Sequence, residues 1–337
     1  MRNWIQYLAG VALAFGWLTT AAPAADVKLL NVSYDVTREF YQEFNPAFAA
    51  FWKTKTGDTV TVSQSHGGSS TQAQSVLNGL AADVITMNQP SDIDLLFTGG
   101  RLLPANWASR LPNHSVPYNS TIVFVVRRGN PKNIQGWEDL IRPGVSVVIP
   151  NPKTSGNGRY SYLAAWGYAR KKNGGTEQSA RDFVTKLFAN VPVLDAGGRG
   201  ASATFANHDI GDVLLTFENE AASVQKNFAG DALEVVVPAQ SILAENPVAW
   251  VDRYVDRHHT QAVAAAYLEY LYSDEGQQIA AKHYFRPKNP AILAQYADRF
   301  KPVELFSVND IAGGWAQAQR VHFADGGIFD QIYQPNK

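Results

Sequence analysis

The 337-residue chain contains no cysteine. Disulfides, thiolate metal sites and cysteine nucleophiles are all excluded on that ground, and so is a lipid anchor on an N-terminal cysteine. Charge is sparse as well. Asp, Glu, Lys and Arg make up 18% of the residues, against about 25% in an ordinary domain. Lys and Arg number 29 and Asp and Glu 30, for a net charge of −1. The chain has no global basic field of the kind that draws nucleic acid. Hydrophobic residues reach 45%, enough to bury large cores and to exclude a disordered chain. The length implies about two domains.

Residues 1–24 read as an address. Arg2 gives a positive start, Leu8 to Leu18 is an uncharged apolar run, and Ala22-Pro23-Ala24 has the small-x-small form of a cleavage site. This is the pattern of a secretory signal peptide cut after Ala24. The run is too short to span a bilayer core of about 30 Å comfortably. An exported, cysteine-free protein suits the periplasm of a Gram-negative cell.

The rest of the chain alternates strand and helix. Val27 to Ser33 reads as a strand. Thr37 then serves as N-cap for a helix in which Phe40, Phe44, Phe48 and Phe51 recur at helical spacing, a stripe expected to face a core. Gly57-Asp58 turns the chain into a strand over Thr59 to Ser63, followed by a helix from Ser70 to Leu80 and a strand from Ala82 to Met87. Ser120 to Arg127 is continuously apolar and β-branched, as a buried strand should be. Val145 to Ile149, Gly211 to Thr216 and Val235 to Val237 are further strands. Tyr160 to Arg170 and Ala262 to Leu271 are helices, and Ser273 caps the next. This order predicts an α/β protein with mostly parallel sheets. No repeat and no low-complexity linker occurs, so the chain is expected to pass between two lobes more than once. Pro117-Tyr118 is a candidate crossing. The expected division is lobe 1 over 26–116 and 218–275 and lobe 2 over 117–217, with 276–337 helical and unassigned.

Three polar loops follow apolar strands and precede helices: Ser65 to Ser70, Asn151 to Arg159, and Ala196 to Ser202. In open α/β sheets ligands bind beyond the carboxyl ends of the strands. A helix start there offers unpaired N–H donors and a partial positive charge. Small residues let the backbone come close to a ligand. Any one such loop is ordinary turn chemistry; three in matching positions can bind an anion without a cationic side chain.

Catalysis is the competing class. His66-Gly67-Gly68-Ser69 superficially resembles an esterase oxyanion loop, which would make Ser69 the nucleophile of a secreted hydrolase. The G-x-S-x-G elbow that such an enzyme needs is missing, as are G-x-G-x-x-G and phosphate-loop sequences. His258-His259 lie in a charged segment with poor spacing for a metal. Glu218 and Glu220 read as helix N-terminal charge rather than an acid/base pair. No cofactor, catalytic residue or metal ligand is expected.

At the loops the sequence resembles the periplasmic sulfate- and thiosulfate-binding proteins of ABC importers. The stretches that carry the resemblance include Lys53-Thr54-Lys55-Thr56-Gly57-Asp58-Thr59-Val60-Thr61-Val62, Ser65-His66-Gly67-Gly68-Ser69, Asn151-Pro152-Lys153-Thr154-Ser155-Gly156, Gly211-Asp212-Val213-Leu214-Leu215 and Gly326-Gly327-Ile328-Phe329-Asp330-Gln331-Ile332. They span essentially the whole mature chain. The resemblance implies a two-lobed periplasmic-binding-protein fold of type II, with the ligand in a closing cleft. It also implies a monomer that delivers its anion to permease subunits driven by a cytoplasmic ATPase. Carried over by position, the donors are the Asp35 peptide N–H, Ser69, Ser155 with the N–H groups of Gly156 and Asn157, and Gly198. The chemistry agrees: sulfate at neutral pH only accepts hydrogen bonds, whereas a carboxylate in the cleft would favour a protonated anion.

Three departures fall on or near this site. The family's Ala-Trp-Glu-Asn-Glu, whose indole donates to the anion, is Thr216-Phe217-Glu218-Asn219-Glu220 here. The family's Ser-Gly-Gly becomes Ser155-Gly156-Asn157, where the Asn157 side chain either fills space or adds a donor. The family's Leu-Ala-Leu-Ala-Tyr-Asp becomes Met87-Asn88-Gln89-Pro90-Ser91-Asp92. The expected ligand is therefore a sulfate-class oxyanion, with a changed preference toward another oxyanion or an organosulfur compound as the alternative. Trp250 is a further departure, with no place assigned.

Overall fold

The computed structural model describes residues 25–172, 174–226 and 232–333. The expected signal peptide lies outside the described residues.

Two sheets organise the molecule. The first is built from β1 (Asp26–Tyr34), β2 (Thr59–Gly67), β3 (Val84–Thr86) and a late strand introduced below. β1 lies between β2 and β3, and both pairings are parallel. Parallel neighbours need crossovers, and helices α1 (Arg38–Thr56) and α2 (Ser69–Leu77) supply them. The stripe on α1 does what its spacing predicts, with one adjustment. Phe40, Phe44, Phe48 and Trp52 are buried, while Phe51 stands at the rim. Gly57 closes α1 at φ 87°, a left-handed conformation that glycine adopts without a Cβ penalty. Helix α3 (Pro90–Gly100) follows β3, and α4 (Pro112–Ser115) is a single turn.

The chain then crosses over. β4 (Tyr118–Ser120) leads into β5 (Ile122–Arg127), the buried strand expected from its β-branched run. The second sheet adds β6 (Val147–Pro150), β7 (Leu194–Asp195), β8 (Val213–Phe217) and β9 (Leu233–Val236), in the order β7-β6-β8-β5-β9. β6 is parallel to β7 and β8, while β5 is antiparallel to β8 and β9. Its helices are α5 (Gly156–Lys171), α6 (Glu177–Ala189), α7 (Gly198–His208) and α8 (Glu218–Val224).

The division expected at residue 218 differs from this pairing. Phe124 to Arg127 pair with Val236 to Leu233, so the chain stays with the second sheet through β9. The return comes later. β10 (Gln240–Ile242) and β11 (Ala244–Asn246) lead to β12 (Val248–Trp250), which pairs antiparallel with β3 and completes the first sheet. The outgoing β4 and the returning β11 are themselves hydrogen-bonded, Tyr118 opposite Asn246. Helices α9 (Asp252–His258), α10 (Gln261–Tyr270) and α11 (Asp274–Lys282) follow. Tyr267 and Tyr270 of α10 meet the α1 stripe, with Tyr267 5.2 Å from Phe44 and 5.1 Å from Phe48. Ser273 caps α11 as its sequence position predicts, accepting from the Gly276 N–H.

The unassigned C-terminal stretch serves both sides. β13 (Arg286–Pro287) joins β4, and α12 (Pro290–Gln295) follows. β14 (Glu304–Phe306) pairs with β10. Helices α13 (Val308–Ala312), α14 (Trp315–Ala318) and α15 (Ile328–Ile332) complete the described chain. Phe329 of α15 lies 5.3 Å from Phe188 of α6, and Lys153 binds Asp330 at 3.0 Å, so this end covers the second sheet's helices.

Candidate functional site

The three polar loops converge. Each is short, small-residued and placed between a strand end and a helix start: β2 into α2, β6 into α5, and β7 into α7. The first comes from the first sheet and the other two from the second, so the site lies between them. Gly68, the N-cap of α2, makes the closest approach. A Cβ there would stand 2.7 Å from the Thr154 carbonyl oxygen and 3.2 Å from that of Ala196. Only glycine allows backbone to meet backbone at this point.

All seven residues picked out from the sequence border this closed seam, and all are buried. Asp35 is 8% exposed, Ser69, Asn157 and Phe217 are 1%, and Ser155 is 2%; Gly156 and Gly198 are buried as well. Ser155 caps α5, its hydroxyl oxygen accepting from the Gly158 N–H at 3.4 Å. The N–H groups of Gly156 and Asn157 point off the helix start with no acceptor among the described residues. These are the orphan donors that a helix N-terminus leaves over. Gly198 opens α7, and the neighbouring Arg199 N–H donates to Asp35 Oδ2 at 3.0 Å.

Ser69 departs from its expected role. Its hydroxyl donates to Asp92 Oδ2 at 2.5 Å rather than standing free. Asp92 is 3% exposed and also receives Ser70 Oγ at 2.9 Å and Gln89 Nε2 at 2.8 Å. The Arg159 guanidinium of α5 lies 3.6 Å away across the seam.

Asn157 resolves the two expectations for its side chain. Its Nδ2 donates to Thr216 Oγ1 at 2.8 Å, and a Cβ on Gly198 would stand 2.8 Å from that same nitrogen. The amide therefore fills the space between α5, β8 and α7. Phe217 packs edge-on against Tyr34 from the first sheet, at 6.2 Å, and Tyr160 from α5, at 5.6 Å. It seats an apolar ring where the two sides meet.

Sequence reasoning missed an ionic group beside these residues. A single Arg199 guanidinium nitrogen, Nη2, donates to both oxygens of Glu39, at 2.8 and 3.1 Å, and lies 3.4 Å from Glu220 Oε2. Glu220 is fully buried, with Ser202 Oγ donating to its other oxygen at 2.6 Å. Burial pushes its carboxyl up to about 7 despite the pull of Arg199. Burial also raises Asp35, opposed by the Arg199 N–H and then by its charge. Glu39 sits on α1 and Arg199 on α7, so this pair ties the two sides together. Glu218, expected only as helix-start charge, forms a two-pronged pair with Arg286 at 2.7 and 2.9 Å.

Other flagged residues lie away from the seam. Trp250 is on β12, beneath the Arg110 guanidinium at 4.5 Å. His258 is not simply a solvated charge: its Nδ1 meets Asp83 Oδ1 at 2.9 Å.

A cleft between two α/β lobes, closed over the starts of three helices, is a solute-binding arrangement, and comparison with known proteins agrees. Residues 30–286 match the family model for bacterial extracellular solute-binding proteins. The chain belongs to that family. A thiosulfate-binding protein of Pseudomonas aeruginosa is 57% identical over 324 residues, covering 96% of this chain and 97% of the relative. A sulfate-binding protein of Salmonella typhimurium is 52% identical over 332 residues, 98% of this chain and 99% of the relative. Among solved structures, the sulfate-binding protein SubI of Mycobacterium tuberculosis superposes with a TM-score of 0.79 at 33% identity, covering 87% of this chain and 98% of that one. These relatives are named as binding proteins. The resemblance read from the loops is thereby borne out at the level of the family.

Proposed function

We infer that this protein captures a sulfate-class oxyanion, sulfate or thiosulfate, between its lobes and passes it to the membrane permease of an ABC importer. The observation that carries the reading is the pair of unclaimed N–H groups on Gly156 and Asn157, buried in the seam where the three helix starts meet. Donors without partners in a buried place are costly unless a ligand supplies acceptors. An acceptor-only dianion supplies them, and the helix dipoles favour its charge. The names of the 57% and 52% identical relatives point to the same ligand class. β4 and β11 cross side by side between the sheets, and rotation about them would open the cleft. Closure would follow from tighter binding of the anion to the closed form. Export to the periplasm, a monomeric state and the absence of catalysis belong to the same reading.

A thermal-shift panel tests it. A ligand that binds only the folded state raises the melting midpoint. Sulfate or thiosulfate at concentrations of about 100 times Kd should add on the order of 2.7 kcal/mol of stability. Phosphate, molybdate and small sulfonates complete the panel. No shift with any of these anions overturns the oxyanion reading.

A further inference from the structure

Two of the stretches that carry the family resemblance lie far apart in the chain and meet in space. Lys153 belongs to the loop at residues 151–159 that starts α5, and Asp330 to the run at residues 326–332 that ends the described chain. The Lys153 ammonium donates to the Phe323 carbonyl oxygen at 3.1 Å, to Asp325 Oδ1 at 3.1 Å and to Asp330 Oδ2 at 3.0 Å. That uses all three donors an ammonium has, so none is left over for an anion. The Gly326 N–H donates to the same Asp330 oxygen at 2.9 Å and fixes the carboxylate on its turn. The contact reaches the other end of the loop as well. The Phe323 ring is 3% exposed and lies beneath the Arg159 guanidinium at 5.5 Å, while Arg159 Nε donates to the Pro152 carbonyl at 2.9 Å. The segment that grips the loop is itself anchored on α5 and α6. Phe329 stands 6.2 Å from Tyr162, and Gln331 Oε1 accepts from Arg181 at 2.7 Å.

Half-exposed ion pairs add little to stability, and Lys153 and Asp330 keep 27% and 33% of their side-chain surface in water. Their place in the chain gives the pair another use. Lys153 directly precedes Thr154, whose carbonyl faces Gly68 across the seam, and Ser155, Gly156 and Asn157 follow at once. Donors already held at their binding angles lose little freedom when a ligand arrives. We propose that Lys153 is a positioning residue, through which the C-terminal segment from Phe323 to Asp330 holds the Ser155, Gly156 and Asn157 donors in their binding geometry. Lys153 touches no anion itself. This rests on the reading of the seam as the oxyanion site.

The experiment is a calorimetric titration of sulfate and of thiosulfate into the wild type, Lys153→Met, Asp330→Ala, Asp330→Asn and the double variant Lys153→Met/Asp330→Ala, with melting curves of each without ligand. Lys153→Met and Asp330→Ala should each weaken binding about 3- to 10-fold, the affinity equivalent of re-ordering about one flexible side chain on binding. The shared direction is the decisive readout. A charge effect alone would move the two apart, because one variant removes a positive charge near the anion and the other a negative one. The double variant should bind no more weakly than the weaker single variant, as expected of two partners in one contact. Asp330→Asn keeps an acceptor of the same shape and should fall between the wild type and Asp330→Ala, which preserves the test if a harsher variant fails to fold. Lys172→Met, which breaks the surface pair with Glu138 beyond the far end of α5, should bind as the wild type does. Unchanged affinity in variants that melt earlier overturns the proposal, because the contact would then support only the fold. Opposite changes in Lys153→Met and Asp330→Ala, additive losses in the double variant, or an equal loss in Lys172→Met also overturn it. All these outcomes leave the oxyanion reading standing, whereas failure of the wild type to bind either anion removes the reading on which the proposal rests.

Discussion

Gly68→Ala is expected to weaken sulfate binding by about 5- to 150-fold while leaving the ligand-free protein as stable as the wild type. The added methyl would press on the Thr154 and Ala196 carbonyl oxygens at 2.7 and 3.2 Å. Both are main-chain atoms on the far side of the cleft and have no rotamer to retreat to. Inserting a methyl into a packed contact costs about 1–3 kcal/mol, and each 1.4 kcal/mol is about tenfold in affinity. If lobe opening releases this contact, as the closure reading requires, the cost is expected in binding and not in the melting of the ligand-free protein. Gly136→Ala is the control, since a Cβ there meets nothing within 4 Å. Titration of sulfate against the three proteins, with melting curves of each without ligand, separates the outcomes. An unchanged affinity in Gly68→Ala would mean that the bound form does not bring these backbones together.

The second large effect runs the other way. Phe217→Trp should strengthen sulfate binding by about 10- to 150-fold, because it restores an indole N–H where the family resemblance places a donor. A hydrogen bond to a charged acceptor contributes about 1.5–3 kcal/mol. The ring already stands in the seam, edge-on to Tyr34 and Tyr160. The Tyr34 hydroxyl beside it is buried without a partner, so the surroundings are already polar at one point. The comparison is a sulfate titration of the variant against the wild type. Unchanged or weaker binding would mean that Thr216, Asn157 and Phe217 together have rebuilt this corner, so that the indole no longer finds the anion.

What could be read from the sequence was local. The α1 stripe, the Ser273 cap and the three loop-to-helix transitions each announce themselves within a few residues, through spacing or capping chemistry. The seven candidate site residues follow from those loops and from the family resemblance. What could not be read was the pairing of distant segments. Nothing near residue 218 signals that Leu233–Val236 comes back to pair with β5, because an antiparallel edge strand looks the same whichever sheet it joins. The Arg199 group was hidden for a similar reason. Glu39 and Arg199 are 160 residues apart, and each alone reads as a surface charge.

The proposed function requires an anion held between the lobes by helix-start N–H groups. The most direct measurement is a crystal structure of the protein grown with sulfate. The account predicts one sulfate in the closed seam, with the Gly156 and Asn157 nitrogens within about 3 Å of its oxygens and Gly68 against Thr154. The contradicting result is an empty seam with sulfate only in the groove of about 600 Å³ beside Lys153 and Arg159, where cationic side chains rather than helix-start N–H groups would hold it.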